Sequence, residues 1–119
     1  VKQGKIPQTL WTYSEVGHTQ DAKKQLLDVL RFDASADVFS TPKPVQLMER
    51  ILRVASKPGD TILDFFAGSG TLAQAVAKLN AEDGGDRRFI LVSNTEATVD
   101  QPDKNLCRDI CAERVRRVM

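Results

Sequence analysis

Three charged side chains stand where the chain could hold a small ligand: Asp64, Lys43 and Glu96. Asp64 is the most informative, because it closes the apolar run Thr61-Ile62-Leu63 and stands four positions before Gly68-Ser69-Gly70-Thr71. A strand that runs into a Gly-x-Gly turn and then a helix brings backbone close to a ligand and points unpaired N–H groups outward. Many nucleotide ligands use that outline, and Gly68, Gly70 and Ala73 also satisfy the looser fingerprint of dinucleotide binders. A carboxylate at position 64 argues against a pyrophosphate, since like charges repel and desolvating the acid without a cation is costly. A ligand with an ammonium group removes the objection, and S-adenosylmethionine carries one beside its sulfonium. The competing reading is that Asp64 caps the following turn through its own side chain.

The other two charges are placed by different elements. In Thr41-Pro42-Lys43-Pro44 the prolines force extended backbone on the residues before them, and Pro44 suits the first turn of a helix with Leu47, Met48, Ile51, Leu52 and Ala55 on one face. A ligand carboxylate at that helix start would meet the positive end of the dipole, with Lys43 adding a full charge. Glu96 follows the apolar run Phe89-Ile90-Leu91-Val92 by a few residues. A carboxylate there can accept hydrogen bonds from both hydroxyls of a ribose, although a solvent-exposed loop Glu fits the position equally well.

The elements that must position these residues read as α/β. Residues 61–66 and 89–93 read as strands buried on both faces. Between them Leu72, Val76 and Leu79 recur at helical spacing, with Ala73, Ala75 and Ala77 small enough to pack on a sheet. Strand, helix, strand of this length implies a parallel right-handed crossover, so both strands end at one edge of the sheet. Upstream, residues 9–13 could form a short strand, with Trp11 and Tyr13 free to stack on a base and Lys2 and Lys5 to meet phosphates; Trp11 as a packed anchor and two solvated lysines is the plainer reading. His18 reads as a loop residue. A helix starts at Thr19 or Asp21 with Ala22, Leu26, Val29 and Leu30 on its apolar face. Residues 32–36 link it to a short extended piece at 37–39. At the other end, residues 104–118 return to helical spacing with Cys107, Cys111, Val115 and Val118 on one stripe, and Arg114, Arg116 and Arg117 default to a solvated face. The two cysteines read as core neighbours, since a zinc site needs further ligands.

Two blocks carry a resemblance. Asp64-Phe65-Phe66-Ala67-Gly68-Ser69-Gly70-Thr71 resembles the cofactor motif of the amino-methyltransferases of DNA, in the form typical of adenine-N6 members. Phe39-Ser40-Thr41-Pro42-Lys43-Pro44 and the helix after it resemble the element that precedes the motif in the permuted class, closest to the modification subunit of type III restriction-modification systems. The resemblance implies the S-adenosylmethionine-binding portion of a DNA adenine-N6 methyltransferase. On it, Asp64 meets the methionine ammonium, Thr41 and Lys43 its carboxylate, and Glu96 the ribose; Phe65 packs on the adenine, and Ala67, Gly68, Gly70 and Thr71 form the turn that admits the cofactor. The family often has Pro where this chain has Thr95. Residues 1–36 would be the tail end of the target-recognition region with a packing helix, and residues 37–119 the cofactor-binding part of a Rossmann-like methyltransferase sheet. The partners implied are double-stranded DNA with an extruded adenine, a second methyltransferase subunit and a restriction subunit.

The family's Asp-Pro-Pro-Tyr type motif, which holds the target amine and stacks on the extruded base, is missing: the five prolines stand at 7, 42, 44, 58 and 102, with no adjacent pair. No catalytic residue is therefore assigned, and the segment alone is expected to be inactive. At 119 residues, 41% hydrophobic and 28% charged, the composition is that of one soluble domain, and no apolar run is long enough to span a bilayer. The expected location is the cytoplasm. A net charge of +1 gives no general pull on a polyanion, so the main grip on DNA is expected elsewhere. Two strands cannot cover their own edges, and the chain opens at Val1 and closes on a helical pattern, so either a piece of a larger protein or a sheet completed by a partner is expected. Two other classes remain open: a fragment of a nicotinamide-dependent oxidoreductase, and a non-catalytic module that pairs with an active subunit.

Overall fold

The computed structural model describes residues 4, 6–31 and 39–119. Lys2 and Lys5, the link at 32–36, and Asp37 and Val38 lie outside the described residues. In chain order the elements are α1 (Tyr13–Val16), α2 (Thr19–Leu30), α3 (Val45–Ala55), β1 (Thr61–Asp64), α4 (Thr71–Asp83), β2 (Arg88–Leu91), a π-helical segment (Cys107–Ala112) and α5 (Glu113–Val118), which continues it.

The sheet is a parallel pair, with Thr61 opposite Arg88 and Asp64 opposite Leu91. Both strands therefore end at the same edge, as the strand-helix-strand pattern requires. Side chains alternate across a strand, and the burial follows that period. Ile62, Phe89 and Leu91 pack beneath α3 and α4 against Val45, Leu52, Leu72, Ala75, Val76 and Leu79. Thr61, Leu63, Arg88 and Ile90 point to the other face and are exposed. The expectation of strands buried on both faces is thus corrected: α3 and α4 cover one face, and nothing among the described residues covers the other.

Both strands are also shorter than expected. β1 ends at Asp64, and Phe65 and Phe66 lie outside it in a turn, 63% and 93% exposed. The cause is local, because Asp64 turns back on its own chain: its Oδ1 accepts the Phe66 N–H at 2.9 Å. β2 runs from Arg88 to Leu91, and Val92 and Ser93 follow it as irregular chain.

Residues 9–13 form no strand. Thr12-Tyr13-Ser14-Glu15 is a capping box, in which the Thr12 N–H donates to the Glu15 carboxylate at 2.9 Å, and Gly17 ends the short helix at φ +78°. His18 caps α2 directly: its Nδ1 accepts the Gln20 N–H at 3.2 Å, while its own N–H donates to Asp21 at 3.1 Å. Pro44 is the N-cap of α3 rather than a member of its first turn, and the Val45 N–H is satisfied by Gln25 Oε1 of α2 at 3.1 Å. On α3, Leu52 is buried as expected, but Ile51 and Ala55 are exposed along an open groove beside β1. Glu49 takes their place in the core, paired at 3.1 Å with Lys78 of α4.

The helical spacing at 104–118 resolves into the π-helical turn followed by α5, which packs on α2 and α4. The solvated-face reading of its arginines is corrected at Arg114, which is wholly buried; Arg116 and Arg117 are exposed. Among the described residues no helix is long and apolar enough to cross a membrane.

Leu79, 1% exposed at the centre of the α4 face, gives a direct check on this core. Leu79→Ala should cost about 2–5 kcal/mol, read as a lowered urea midpoint with an unchanged slope. A midpoint within error of wild type would show that the α3–α4–sheet cluster is not the stabilising core.

Candidate functional site: a cleft over the glycine turn

The turn between β1 and α4 is built from positive-φ glycines, Gly68 at +51° and Gly70 at +78°, which only glycine adopts cheaply. Its backbone is fastened at both ends. The Ala67 N–H donates to Val92 O at 3.0 Å, tying the turn to the chain leaving β2, and the Gly70 N–H donates to Ala67 O at 2.8 Å. Thr71, the first residue of α4, donates its hydroxyl to Lys43 O at 3.1 Å. That bond joins the two sequence blocks, bringing the Thr41-Pro42-Lys43-Pro44 segment alongside the turn.

Between these two segments lies a cleft of about 220 Å³, lined by Thr41 and Lys43 on one side and by Asp64, Ala67, Gly68 and Thr71 on the other. A second cleft, of about 340 Å³, shares Phe39, Phe66 and Gly68 with the first and adds Phe65, Val92, Asn94 and Glu96. Concavities totalling several hundred Å³ are the size of small-molecule sites, roughly 300–1,000 Å³. Of the nine residues singled out in the sequence, eight line one cleft or the other. Gly70 lines neither. A Cβ at Gly70 would lie 3.2 Å from Cys111 O and 3.3 Å from its Sγ, so its close approach is to the π-helical turn behind the loop. At Gly68 a Cβ would lie 3.3 Å from the Phe39 ring at the junction of the two clefts.

The capping role and the ligand role of Asp64 prove compatible. One carboxylate oxygen holds the Phe66 N–H; the other meets no donor among the described residues, and Asp64 lines the first cleft. Asp64 and Lys43 both line that cleft, a pair of opposite charges complementary to a ligand that carries both an ammonium and a carboxylate. Neutralising Asp64 by such a cation avoids the cost of burying it alone. In the second cleft Glu96, itself at φ +50°, accepts from Lys104 Nζ at 3.3 Å, so a ligand hydroxyl there would share or displace that contact. The helix start that was expected to receive a carboxylate has its first N–H taken by Gln25.

Sequence reasoning missed Arg114. Its Nε donates to Gln74 Oε1 at 2.8 Å, and its Nη1 donates to Ser69 Oγ at 3.1 Å and Thr71 Oγ1 at 3.0 Å, all on the turn or the first turns of α4. Burial lowers it to about 10, which leaves it charged at neutral pH. Cys111, one helical turn earlier, is pushed up to about 11, by burial first and then by the Cys107 and Asp64 charges.

A family model described as DNA methylase, of the N6/N4 type, matches residues 1–101. The chain belongs to that family. It is 39% identical over 111 residues to the Mod subunit of the type III restriction-modification enzyme StyLTI of Salmonella typhimurium, which covers 89% of this chain and 16% of the relative. It is 40% identical over 92 residues to the EcoPI Mod subunit of Escherichia phage P1, covering 77% and 14%. To the type II methyltransferase M.KpnI of Klebsiella pneumoniae it is 41% identical over 86 residues, covering 72% and 19%. The chain thus spans less than a fifth of the length of these relatives.

The thiols report on the back of the turn. At pH 8 an aromatic disulfide reagent should label Cys107, which is partly exposed, and leave Cys111 unmodified until the chain unfolds. The raised Cys111 thiol contributes stability in full below about pH 9; the contribution falls as the pH climbs toward 11, because the unfolded chain releases that proton first. Equal labelling of both thiols in the native chain would contradict the placement of Cys111 against Gly70.

Proposed function

We propose that this chain is the S-adenosylmethionine-binding portion of a site-specific DNA methyltransferase that acts on adenine N6 within a restriction-modification system. The observation that carries the reading is the first cleft, which Asp64 and Lys43 line together with the glycine turn. On this reading the second Asp64 oxygen accepts from the methionine ammonium, and Lys43 and the Thr41 hydroxyl donate to its carboxylate. Gly68 lets the backbone come close at the junction of the clefts. Phe65 and Glu96, together in the second cleft, suit an adenine face and the ribose hydroxyls. When bound, the cofactor supplies an electrophilic methyl group on sulfur. The residues of this chain bind it, orient it and shield it by the walls of the two clefts, and the rate advantage of such an arrangement lies in positioning.

In this reading residues 37–119 are the cofactor-binding part of a Rossmann-like sheet, and residues 1–36 are the tail end of a target-recognition region with its packing helix. The relatives' names as Mod subunits support a DNA substrate and a restriction subunit as partners of the whole cytoplasmic enzyme. The reading predicts no transfer by the 119 residues alone, since the Asp-Pro-Pro-Tyr type motif is missing from them; methyl incorporation into DNA by the purified chain would contradict that.

Asp64→Asn separates the two roles of the carboxylate. The amide oxygen can still accept the Phe66 N–H, so the turn keeps its cap while the charge is lost. A hydrogen bond between charged groups is worth about 1.5–3 kcal/mol, so calorimetry should show S-adenosylmethionine binding weakened roughly ten- to a hundredfold in Asp64→Asn, and as much or more in Asp64→Ala. Unchanged affinity in Asp64→Asn would reduce Asp64 to a turn cap. A larger thermal shift with NAD than with S-adenosylmethionine would count against S-adenosylmethionine as the ligand of the clefts.

A further inference from the structure

Arg114 is a costly residue to keep. It is wholly buried, meets no carboxylate among the described residues, and leaves its Nη2 buried without a protein partner there. A buried cation among neutral groups gains less than it loses on leaving water, and an apolar side chain of similar volume often stabilises such a site instead. Packing alone does not account for the guanidinium.

Its hydrogen bonds all go to Ser69, Thr71 and Gln74. Thr71 has one hydroxyl proton, which it donates to Lys43 O at 3.1 Å while its oxygen accepts from Arg114. Arg114, Thr71 and the Lys43 backbone therefore form one chain of bonds, from α5 through the glycine turn to the opposite wall of the cleft. Cys111, on the same side of the turn, fills the space that a side chain at Gly70 would need.

We propose that Arg114 is a positioning residue for the ligand cleft: from behind the glycine turn it fixes the Ser69 and Thr71 hydroxyls and, through Thr71, the spacing between the Asp64 wall and the Lys43 wall. Only the affinity part of its test rests on the cleft being an S-adenosylmethionine site; the turn itself can be read without any ligand.

The experiment is amide hydrogen exchange on the wild-type chain and on Arg114→Met, Arg114→Lys and Ser69→Ala, with S-adenosylmethionine affinity measured in parallel. The Ala67 and Gly70 N–H groups, bonded to Val92 O and Ala67 O, report the turn; those of Val76 and Leu79, inside α4, report global stability. Arg114→Met should speed exchange at Ala67 and Gly70 about tenfold relative to Val76 and Leu79, and weaken S-adenosylmethionine binding by a similar factor. Arg114→Lys, which keeps the charge but not the fork, should fall between Arg114→Met and wild type. A uniform rise at all four amides, or wild-type exchange in the turn, would overturn the proposal. If Arg114→Met does not fold, Ser69→Ala decides: about a threefold rise confined to the turn supports it, and no change overturns it. Should the wild-type chain take up no S-adenosylmethionine, the proposed function fails, and the exchange data still decide the role of Arg114.

Discussion

The chain must turn sharply between the end of β1 and the start of α4, and the cost of that turn shapes what surrounds it. Six residues, Phe65 to Gly70, lie between Asp64 and Thr71, and two of them, Gly68 and Gly70, hold positive φ. Backbone in this state has few regular partners, so it is satisfied piece by piece: Phe66 by the Asp64 side chain, Ala67 by the chain after β2, Gly70 by Ala67. The first and last bonds close the turn on itself, the Ala67 bond ties it to the chain after β2, and the Thr71 hydroxyl ties it to Lys43 O. A turn held from so many directions keeps one shape, and a site assembled over it inherits that rigidity.

Charge in this region is arranged locally rather than across the surface. The net charge is only +1, yet Asp64 and Lys43 line one cleft together while Arg114 sits buried behind the same turn. Such an arrangement suits a small ligand with separated charges better than a polyanion, whose binding scales with the number of cations exposed to it. Asp64 illustrates how little material is needed, because a carboxylate has two oxygens and, among the described residues, only one is used by the fold.

What could be read in the sequence was what short-range physics decides. The glycine turn, the apolar faces of α2 and α4 and the parallel order of β1 and β2 follow from spacing alone, and eight of the nine candidate residues line the paired clefts. The capping box at Thr12 and Glu15 was also within reach, being a local signature, but Trp11 and Tyr13 drew the segment toward a strand reading. Arg114 was not within reach. A lone Arg on a basic helix defaults to solvent, and its partners Ser69, Thr71 and Gln74 lie about forty residues away, 40 to 45 in separation, where no periodicity points to them. Gln25 over the start of α3 and Glu49 beneath Lys78 were hidden for the same reason.

The two glycines of the turn, alike in sequence, face different demands. Gly68 lies at the junction of the clefts beside Phe39, so its missing side chain keeps the front of the turn open. Gly70 faces the π-helical turn, so its missing side chain lets the back close. Ser69 between them is 2% exposed and accepts from Arg114, and so acts as an anchor rather than a spacer. Gly68 faces the front while Ser69 and Gly70 face the back, which is why a larger side chain at either glycine would disturb a different surface. The ligand-facing half of the motif therefore depends on the half that faces the protein.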